Sequence, residues 1–249
     1  MTNVESRAGM NRPDSNGTEL IGKTNIEIRY ANLERDAARI AEIFSQPSAI
    51  EHISGMAPTE RTSEVNVKRY AEKYPHLNIV IATEQGIKDF YKGCNNFEEN
   101  NTTLLVAVDK ALDQIVGTVT VERPTAPGLT YASISRLAVD EDFRGRGTGR
   151  KLLETASALA LLPKEQGGYG QFGAQVGIIQ HVDGYQVPQK MFQEQGYRII
   201  GNPVENCVSW SNKSRRFVPR DTLFLQFGQE AFLNGGSASS LQRKLPRQK

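Results

Sequence analysis

The spacing of apolar residues predicts alternating strands and helices through the first half of the chain. Residues 25–30 alternate apolar and polar side chains, which is typical of a strand with one buried face. The apolar residues of 33–44 recur at helical spacing, and Pro47 is expected to end that helix. A second helix is predicted over 62–74, and the apolar run 78–82 fits either a strand or a buried helix.

The second half continues the pattern with more strands. Apolar runs at 103–108 and 114–121 predict two antiparallel strands joined by a polar turn, and an apolar stretch ending at Val139 predicts a third. Residues 152–160 place an apolar stripe along one face of a helix. Further predicted elements are a strand at 175–179, a helix that begins near Pro188 and is capped by Gly196, and a last strand at 221–227.

The two ends and one internal segment lack any such periodicity. Residues 1–23 are rich in Asn, Gly, Ser and Asp, and residues 234–249 are polar and basic, so both are expected to be disordered tails. The domain is therefore expected to span residues 24–233. Residues 84–101 are polar, carry Cys94, and are interpreted as an inserted loop.

Bulk composition limits the classes of protein that the chain can belong to. A net charge of +2 over 249 residues gives no strong electrostatic reason to bind nucleic acid or a membrane surface. The two cysteines form no disulfide framework and no zinc-ligand spacing. Because no apolar run reaches the length of a membrane span and the N-terminus lacks a signal-peptide core, a cytoplasmic protein is expected.

The segment that follows the strand ending at Val139 carries the clearest chemistry. It contains three alternating glycines, Gly145, Gly147 and Gly149, and then an apolar helix. A strand, a glycine turn and a helix N-terminus together direct backbone N–H groups toward one point, which suits a phosphate-bearing ligand. A P-loop is excluded because no Lys-Ser or Lys-Thr pair follows the last glycine, and the spacing G-x-G-x-x-G is also absent.

What remains is Arg144-x-x-Gly147-x-Gly149 after an apolar strand, preceded by Arg136-Leu-Ala-Val139. With the later segment Met191-Phe-Gln-Glu-Gln-Gly-Tyr197, this pattern resembles the GCN5-related N-acetyltransferase (GNAT) family. The resemblance implies a mixed α/β fold with a splayed central sheet flanked by helices. It implies acetyl-CoA as co-substrate, no metal, and transfer of the acetyl group to an amine by direct attack.

The same resemblance implies a set of cofactor-binding residues. The backbone of the signature strand would pair with the pantetheine arm, near the point where the strand at 132–139 diverges from the parallel strand at 175–179. The N–H groups of the glycine loop would surround the pyrophosphate. The implied residues are Leu137, Ala138, Val139, Arg144, Gly145, Arg146, Gly147, Thr148, Gly149 and Arg150.

The residues that would handle protons depart from the family pattern. Many members carry a Glu where this chain has Ser133 or Ser135, and many carry a Tyr where it has Phe192. The catalytic candidates that remain are Glu122 as a base acting through water, Tyr185 as an acid, and His181 as a base near neutral pH. Each also has a plain interpretation, as a solvated strand end, a half-buried tyrosine and a loop histidine. His52 and His76 are interpreted as structural or surface residues.

Three functions from different classes therefore stay open. The first is an acyl-CoA-dependent N-acyltransferase acting on a small-molecule or peptide amine, with a homodimer among the oligomeric states left open. The second is a catalytically weak acyl-CoA-binding regulatory protein. The third is a nucleic-acid-associated protein that uses the basic residues of the C-terminal tail, a pattern that more often is simply solvated. The sequence leaves the acceptor and the acyl-chain length open.

Overall fold

The structure is a computed structural model. It describes residues 25–59, 61–73, 79–96, 100–125, 129–179 and 187–228. The strands in these ranges are β1 (Ile26–Tyr30), β2 (Met56–Ala57), β3 (Val80–Ile81), β4 (Thr102–Asp109), β5 (Gln114–Glu122), β6 (Tyr131–Val139), β7 (Gly173–Ile179), β8 (Arg198–Ser211) and β9 (Arg216–Gly228). The helices are α1 (Leu33–Ser45), α2 (Pro47–Ile50), α3 (Arg61–Lys73), α4 (Glu84–Phe90), α5 (Thr148–Leu161) and α6 (Val187–Glu194).

Seven strands form one mixed sheet in the order β1-β4-β5-β6-β7-β9-β8. Neighbouring strands run antiparallel, except that β6 and β7 run parallel. A parallel pair needs a crossover connection, and α5 supplies it. The short strands β2 and β3 pair separately. This architecture confirms the mixed α/β fold with a sheet flanked by helices.

The sheet separates two hydrophobic cores, and β4 shows how alternation divides the residues between them. Leu105 and Ala107 pack on the side of α5, whereas Leu104 and Val106 pack on the side of α1 and α4. The apolar stripe predicted over 152–160 is buried in the α5 core, as expected. Glycine-loop residues at the start of α5 are therefore held by a helix that is anchored along its length.

Most predicted elements are confirmed, with three differences. Pro47 follows the end of α1, but it also begins α2, where a proline suits the first turn. The run 78–82 contains only the two-residue strand β3. The last strand is longer than 221–227 and pairs with β8, which the sequence pattern did not predict because its first half is largely exposed.

The interpretation of residues 84–101 as a loop is wrong for the first part of the segment. Glu84–Phe90 form α4, which Thr83 caps by accepting a hydrogen bond from the Gly86 N–H at 2.9 Å. Ile87 and Tyr91 are buried in the core beside α1. Packing against α1 stabilises this short helix, which its polar composition could not reveal.

The predicted tails at 1–23 and 234–249 lie outside the described residues. Those tails and the domain boundaries at 24 and 233 therefore stay predictions.

Candidate active site

Strands β6 and β7 separate part-way along their length. The last residue pair that joins them is Ile134 opposite Val176. β6 then continues to Val139 and β7 to Ile179 without a further pair between them. Because β6 pairs with β5 along its other edge, the backbone of 135–139 faces the gap. The sheet is thus open where the sequence placed the cofactor entrance.

A turn with two left-handed glycines follows β6. Gly145 has φ 74° and Gly147 has φ 81°, a region where residues with side chains are strained. The first hydrogen bond of α5 runs from the Lys151 N–H to the Gly147 carbonyl at 3.0 Å. The N–H groups of residues 148–150 precede that bond and have no acceptor within the helix. With the helix dipole, they make this end of α5 attractive to an anion.

Thr148, the first residue of α5, carries a buried hydroxyl without a partner. The residue is 2% exposed, and no hydrogen-bond partner for Oγ1 exists among the described residues. An unsatisfied buried hydroxyl costs about 1–3 kcal/mol. A phosphate oxygen at the helix N-terminus would accept a hydrogen bond from this hydroxyl. The local chemistry therefore fits a phosphate-bearing ligand.

A cavity of about 560 Å³ lies between the gap in the sheet, the glycine loop and α6. Arg144, Arg150 and Lys190 bring positive charge to its lining, and Glu194 brings a carboxylate that pairs with Arg150 at 2.5 Å. The other lining residues include Leu137, Ala138, Val139, Phe143, Gly145, Gly147, Thr148, Gly149, Pro188 and Met191. This excess of positive charge suits a ligand with several negative charges.

The opposite wall of this cavity comes from α2 and the turn after it, through Ser48, Ala49 and His52. The Ser48 N–H donates to Glu141 Oε1 at 3.2 Å, and the Ser48 hydroxyl donates to the same oxygen. The Glu141 N–H in turn donates to the Gln46 side chain at 3.1 Å. The Ser48 hydrogen bonds hold the pKa of the Glu141 carboxyl below its ordinary value. Helix α2 is therefore attached to the segment that leads into the glycine loop.

A second groove, of about 780 Å³, opens on the sheet face away from α5. Ala132 and Ile134 pack toward α5, so Ser133 between them points to the other face. The groove is lined by Asn101, Thr102, Glu122, Arg123, Pro124, Thr125, Leu129, Thr130, Tyr131, Ser133, Gln175, Gly177, Phe224 and Gln226. The groove and the cavity thus share strand β6.

An ion pair lies where β6 passes from the groove to the cavity. Arg136 Nη1 donates to Glu122 Oε1 at 3.0 Å and to the Ser135 hydroxyl at 3.2 Å. The Phe90 ring stacks 4.5 Å from the Arg136 guanidinium carbon. The Arg136 side chain is 15% exposed, and its buried Nε has no partner among the described residues. Arg136 also has a left-handed backbone, with φ 50° at a bulge in β6.

Next to this ion pair is a buried tyrosine. The hydroxyl of Tyr91 lies 2.8 Å from that of Thr120, which pairs across the strands with Ser135. Burial raises the pKa of Tyr91 to about 12. Tyr91 therefore stays protonated at neutral pH, and its position reflects packing of α4 on the sheet.

The middle of the chain matches a known protein family. Residues 100–199 match the model described as an acetyltransferase (GNAT) domain. By this match, residues 100–199 correspond to a GNAT acetyltransferase domain. That range holds β4 to β7, the glycine loop, α5 and α6, and acetyl-CoA is the co-substrate that the family uses.

Solved structures of GNAT proteins share the fold. A mutant of the spermidine N-acetyltransferase SpeG from Vibrio cholerae aligns with TM-score 0.56 and 13% identity, over 84% of this chain and 97% of that one. A GCN5-related N-acetyltransferase from Kribbella flavida gives 0.52 and 20%, over 82% and 98%. A ribosomal-protein-alanine N-acetyltransferase from Brucella melitensis gives 0.50 and 20%, over 81% and 99%. Among curated protein sequences, none matches the chain.

The GNAT resemblance predicted a set of cofactor-binding residues, and all of them except Arg146 line the 560 Å³ cavity. The Arg146 guanidinium instead stacks 4.9 Å from the centre of the Phe143 ring, and its Nη2 donates to the Asp142 carbonyl at 2.9 Å. A contribution of Arg146 would therefore come from its backbone rather than its side chain.

Of the three catalytic candidates, one lies among the described residues. Glu122 lines the groove, whereas His181 and Tyr185 lie outside the described residues and stay predictions. Phe192, at the position where many GNAT proteins have a tyrosine, is 3% exposed and packs edge-on against Tyr197 at 5.3 Å. That position therefore supplies core packing here.

The sequence pattern did not predict the place of His52 in the cavity or the ion pair between Arg136 and Glu122. His52 was expected to be structural or on the surface, yet it lines the cavity. The available signal was Pro47, whose place after a helix end is also typical of a new helix start. The pairing of Arg136 with Glu122 had no signal in the sequence, because it depends on the register between β5 and β6.

The described residues contain neither a membrane-spanning helix nor a cluster of metal-ligating side chains. Within those ranges, no helix combines the length and the apolar character needed to cross a membrane. In the same ranges, no group of three or more His, Cys, Asp or Glu side chains could hold a metal ion.

Proposed function

We propose that this protein transfers an acetyl group from acetyl-CoA to a primary amine by direct attack. The observation that carries the proposal is the 560 Å³ cavity, where the open end of β6 meets an anion-binding helix N-terminus. The unpartnered Thr148 hydroxyl, the free N–H groups of 148–150 and the cations Arg144 and Arg150 match the chemistry of a pyrophosphate. The GNAT domain supports the same conclusion.

Acetyl-CoA supplies an activated thioester, and the chain supplies position and charge. The unpaired edge of β6 at 135–139 offers backbone donors and acceptors to an extended amide-bearing arm. The N–H groups and cations around α5 hold the phosphates. Fixing both ends of the ligand places the thioester relative to the groove, which lowers the entropic part of the barrier.

Glu122 is the residue we propose for removing the amine proton, through a water molecule. Its carboxylate lines the groove and pairs with Arg136, and 39% of its side chain is exposed. The amine nitrogen forms the amide bond, the C–S bond breaks, and sulfur leaves as thiolate. Since Phe192 offers no proton, solvent protonates the thiolate. A positioned base contributes on the order of 10²–10⁴-fold to the rate.

A regulatory acyl-CoA-binding protein is the second candidate. Two observations favour it, the ion pair that occupies Glu122 Oε1 and the buried Phe192 in place of a proton donor. In that function the cavity binds acyl-CoA and no acceptor is acylated.

One experiment separates these functions. The full chain is titrated with acetyl-CoA by calorimetry and then assayed for thiol release against a panel of amines, with products identified by mass spectrometry. Binding with amine-dependent thiol release supports the enzyme. Binding without acylation of any amine supports the regulatory protein, and no binding contradicts both.

A further inference from the structure

The groove of about 780 Å³ on the sheet face away from α5 has few charged residues in its lining. Among the described residues that line it, Glu122 is the one carboxylate and Arg123 the one cation. Glu122 already shares one oxygen with Arg136. Among the described lining residues, the second oxygen of Glu122 is therefore the one anionic atom left to accept a hydrogen bond from an ammonium group.

A polyamine fits such a groove poorly. Each of its nitrogens is protonated near neutral pH, so binding would place several ammonium groups against one carboxylate that is already paired. Charges taken out of water without partners are costly. The same argument applies to amino sugars that carry several amines. The acceptor should therefore carry one cationic nitrogen where it contacts the protein.

Neutral hydrogen-bonding groups dominate the rest of the lining. Gln226 Nε2 donates to Gln175 Oε1 at 3.3 Å, and these two amides lie side by side on β9 and β7. The Ser133 hydroxyl is exposed on the adjacent strand. Amides and hydroxyls of this kind pair with the N–H and C=O groups of a peptide backbone. Leu129, 62% exposed, and Phe224 add apolar surface that suits peptide side chains.

The position of Glu122 relative to these groups indicates where the amine belongs. Glu122 pairs across the strands with Ser133, so the carboxylate lies on the wall of the groove itself. An amine borne directly on a main chain in the groove can reach it. From Ser133, β6 reaches the cavity lining at Leu137 in four residues, about 13 Å of strand. The two sites are therefore close enough to serve one reaction.

We propose that the groove binds a peptide and that the peptide's free α-amine, held at Glu122, is the acetyl acceptor. This inference rests on the proposed function. It assigns Gln175 and Gln226 to binding the peptide backbone and Glu122 to the terminal ammonium.

The test compares three probes on the full chain loaded with acetyl-CoA. They are pentapeptides with free N-termini, the same peptides acetylated at the N-terminus and carrying an internal lysine, and spermidine. Amine-dependent thiol release with the free peptides, and modification at the α-amine by mass spectrometry, supports the inference. Preferred turnover of spermidine or of the blocked lysine peptides overturns it, while leaving acetyl transfer itself intact.

A charge variant tests the groove directly. Gln226→Glu keeps the side-chain shape but replaces the amide N–H donor with a carboxylate. Because the peptide backbone then loses one neutral hydrogen bond, KM for the peptides should rise about 3- to 10-fold. KM for spermidine should fall. Gln193→Glu on the exposed face of α6 is the matched control and should change neither value. Equal KM values for peptide in Gln226→Glu and wild type would place the acceptor elsewhere.

A measurement of peptide binding separates failure of the groove proposal from failure of the proposed function. Coenzyme A-loaded protein is titrated with a free peptide by calorimetry. If coenzyme A binds but the peptide neither binds nor reacts, the groove proposal fails on its own. If coenzyme A does not bind, the proposed function fails first.

Discussion

Replacing Gly147 by alanine tests the glycine loop most directly, because the chain offers a matched control. Gly147 has φ 81° and Gly201, on β8, has φ 68°. A Cβ added at either position would meet no atom within 4 Å. The left-handed backbone costs an L-residue about 1–2 kcal/mol, so both variants should lose stability by that amount. For an ordered region of this size, each kcal/mol lowers Tm by about 2–4 °C.

The two variants should differ in coenzyme A affinity. Gly147 lines the cavity directly before the free N–H groups of α5, so its new methyl group would push a phosphate away from them. Losing one hydrogen bond to a charged group costs about 1.5–3 kcal/mol, which is roughly a 10- to 150-fold rise in Kd. Gly201 is exposed and does not line the cavity, so Gly201→Ala should bind coenzyme A as wild type does.

The measurements are calorimetric titration with coenzyme A and thermal unfolding of both variants. Unchanged coenzyme A affinity in folded Gly147→Ala would refute the assignment of the loop to the pyrophosphate. An equal loss of affinity in Gly201→Ala would show that general destabilisation, rather than a blocked approach, explains the effect.

Four further substitutions probe neighbouring groups. Thr148→Val removes an unpartnered hydroxyl, so thermal unfolding should show equal or higher stability. Calorimetry should show about 2- to 10-fold weaker coenzyme A binding. A loss of stability would mean that the hydroxyl has a partner. Glu122→Gln should lower kcat on the order of 10²-fold with unchanged coenzyme A affinity, and Arg136→Lys should lower it less, whereas full turnover in Glu122→Gln would exclude that base. Burial raises the pKa of Tyr91 from 10.0 to about 12. The neutral phenol therefore stabilises the folded state fully below about pH 10, and roughly 3 kcal/mol of the free energy of unfolding is lost as the pH rises toward 12. Urea unfolding from pH 8 to 12 should show a smaller alkaline loss in Tyr91→Phe, and equal losses in both proteins would contradict the role of burial.

The glycine loop was predictable because its requirements are local. Gly145 and Gly147 adopt φ values that favour glycine, and a helix start follows at once. The apolar periodicities of β4, β5 and α5 are local in the same sense. Each of these features depends on residues within a few positions of one another, so a single sequence contains the information.

The rest of the candidate site depends on contacts between distant segments. Helix α4 is short and polar, and it becomes stable through burial of Ile87 and Tyr91 beside α1. His52 lines the cavity because Ser48 hydrogen-bonds to Glu141, far along the chain. No periodicity predicts such contacts, since they depend on how α2 and α4 pack against segments that are distant in sequence.

The bulge at Arg136 depends on the register between β5 and β6, and it changes which face each later residue of β6 occupies. Thr120 lies opposite Ser135 and Thr118 opposite Ala138, so β6 has one more residue than β5 in this interval. Before the bulge, odd-numbered residues such as Ser133 face the groove. After it, the alternation is reversed, and Leu137 and Val139 pack on the α5 side while Ala138 packs on the side of α1.

This reversal separates the two proposed binding regions along β6. One strand presents polar side chains to the groove along its first half and opens its edge toward the cavity along its second half, because a single extra residue separates the two. Arg136 adopts a strained left-handed backbone there, and its guanidinium is held by Glu122 and Phe90. Strain of about 1–3 kcal/mol persists only where surrounding contacts fix it. Arg136, the residue that bears this strain, lies between the cavity and the groove on β6, which is where the proposed acyl transfer would take place.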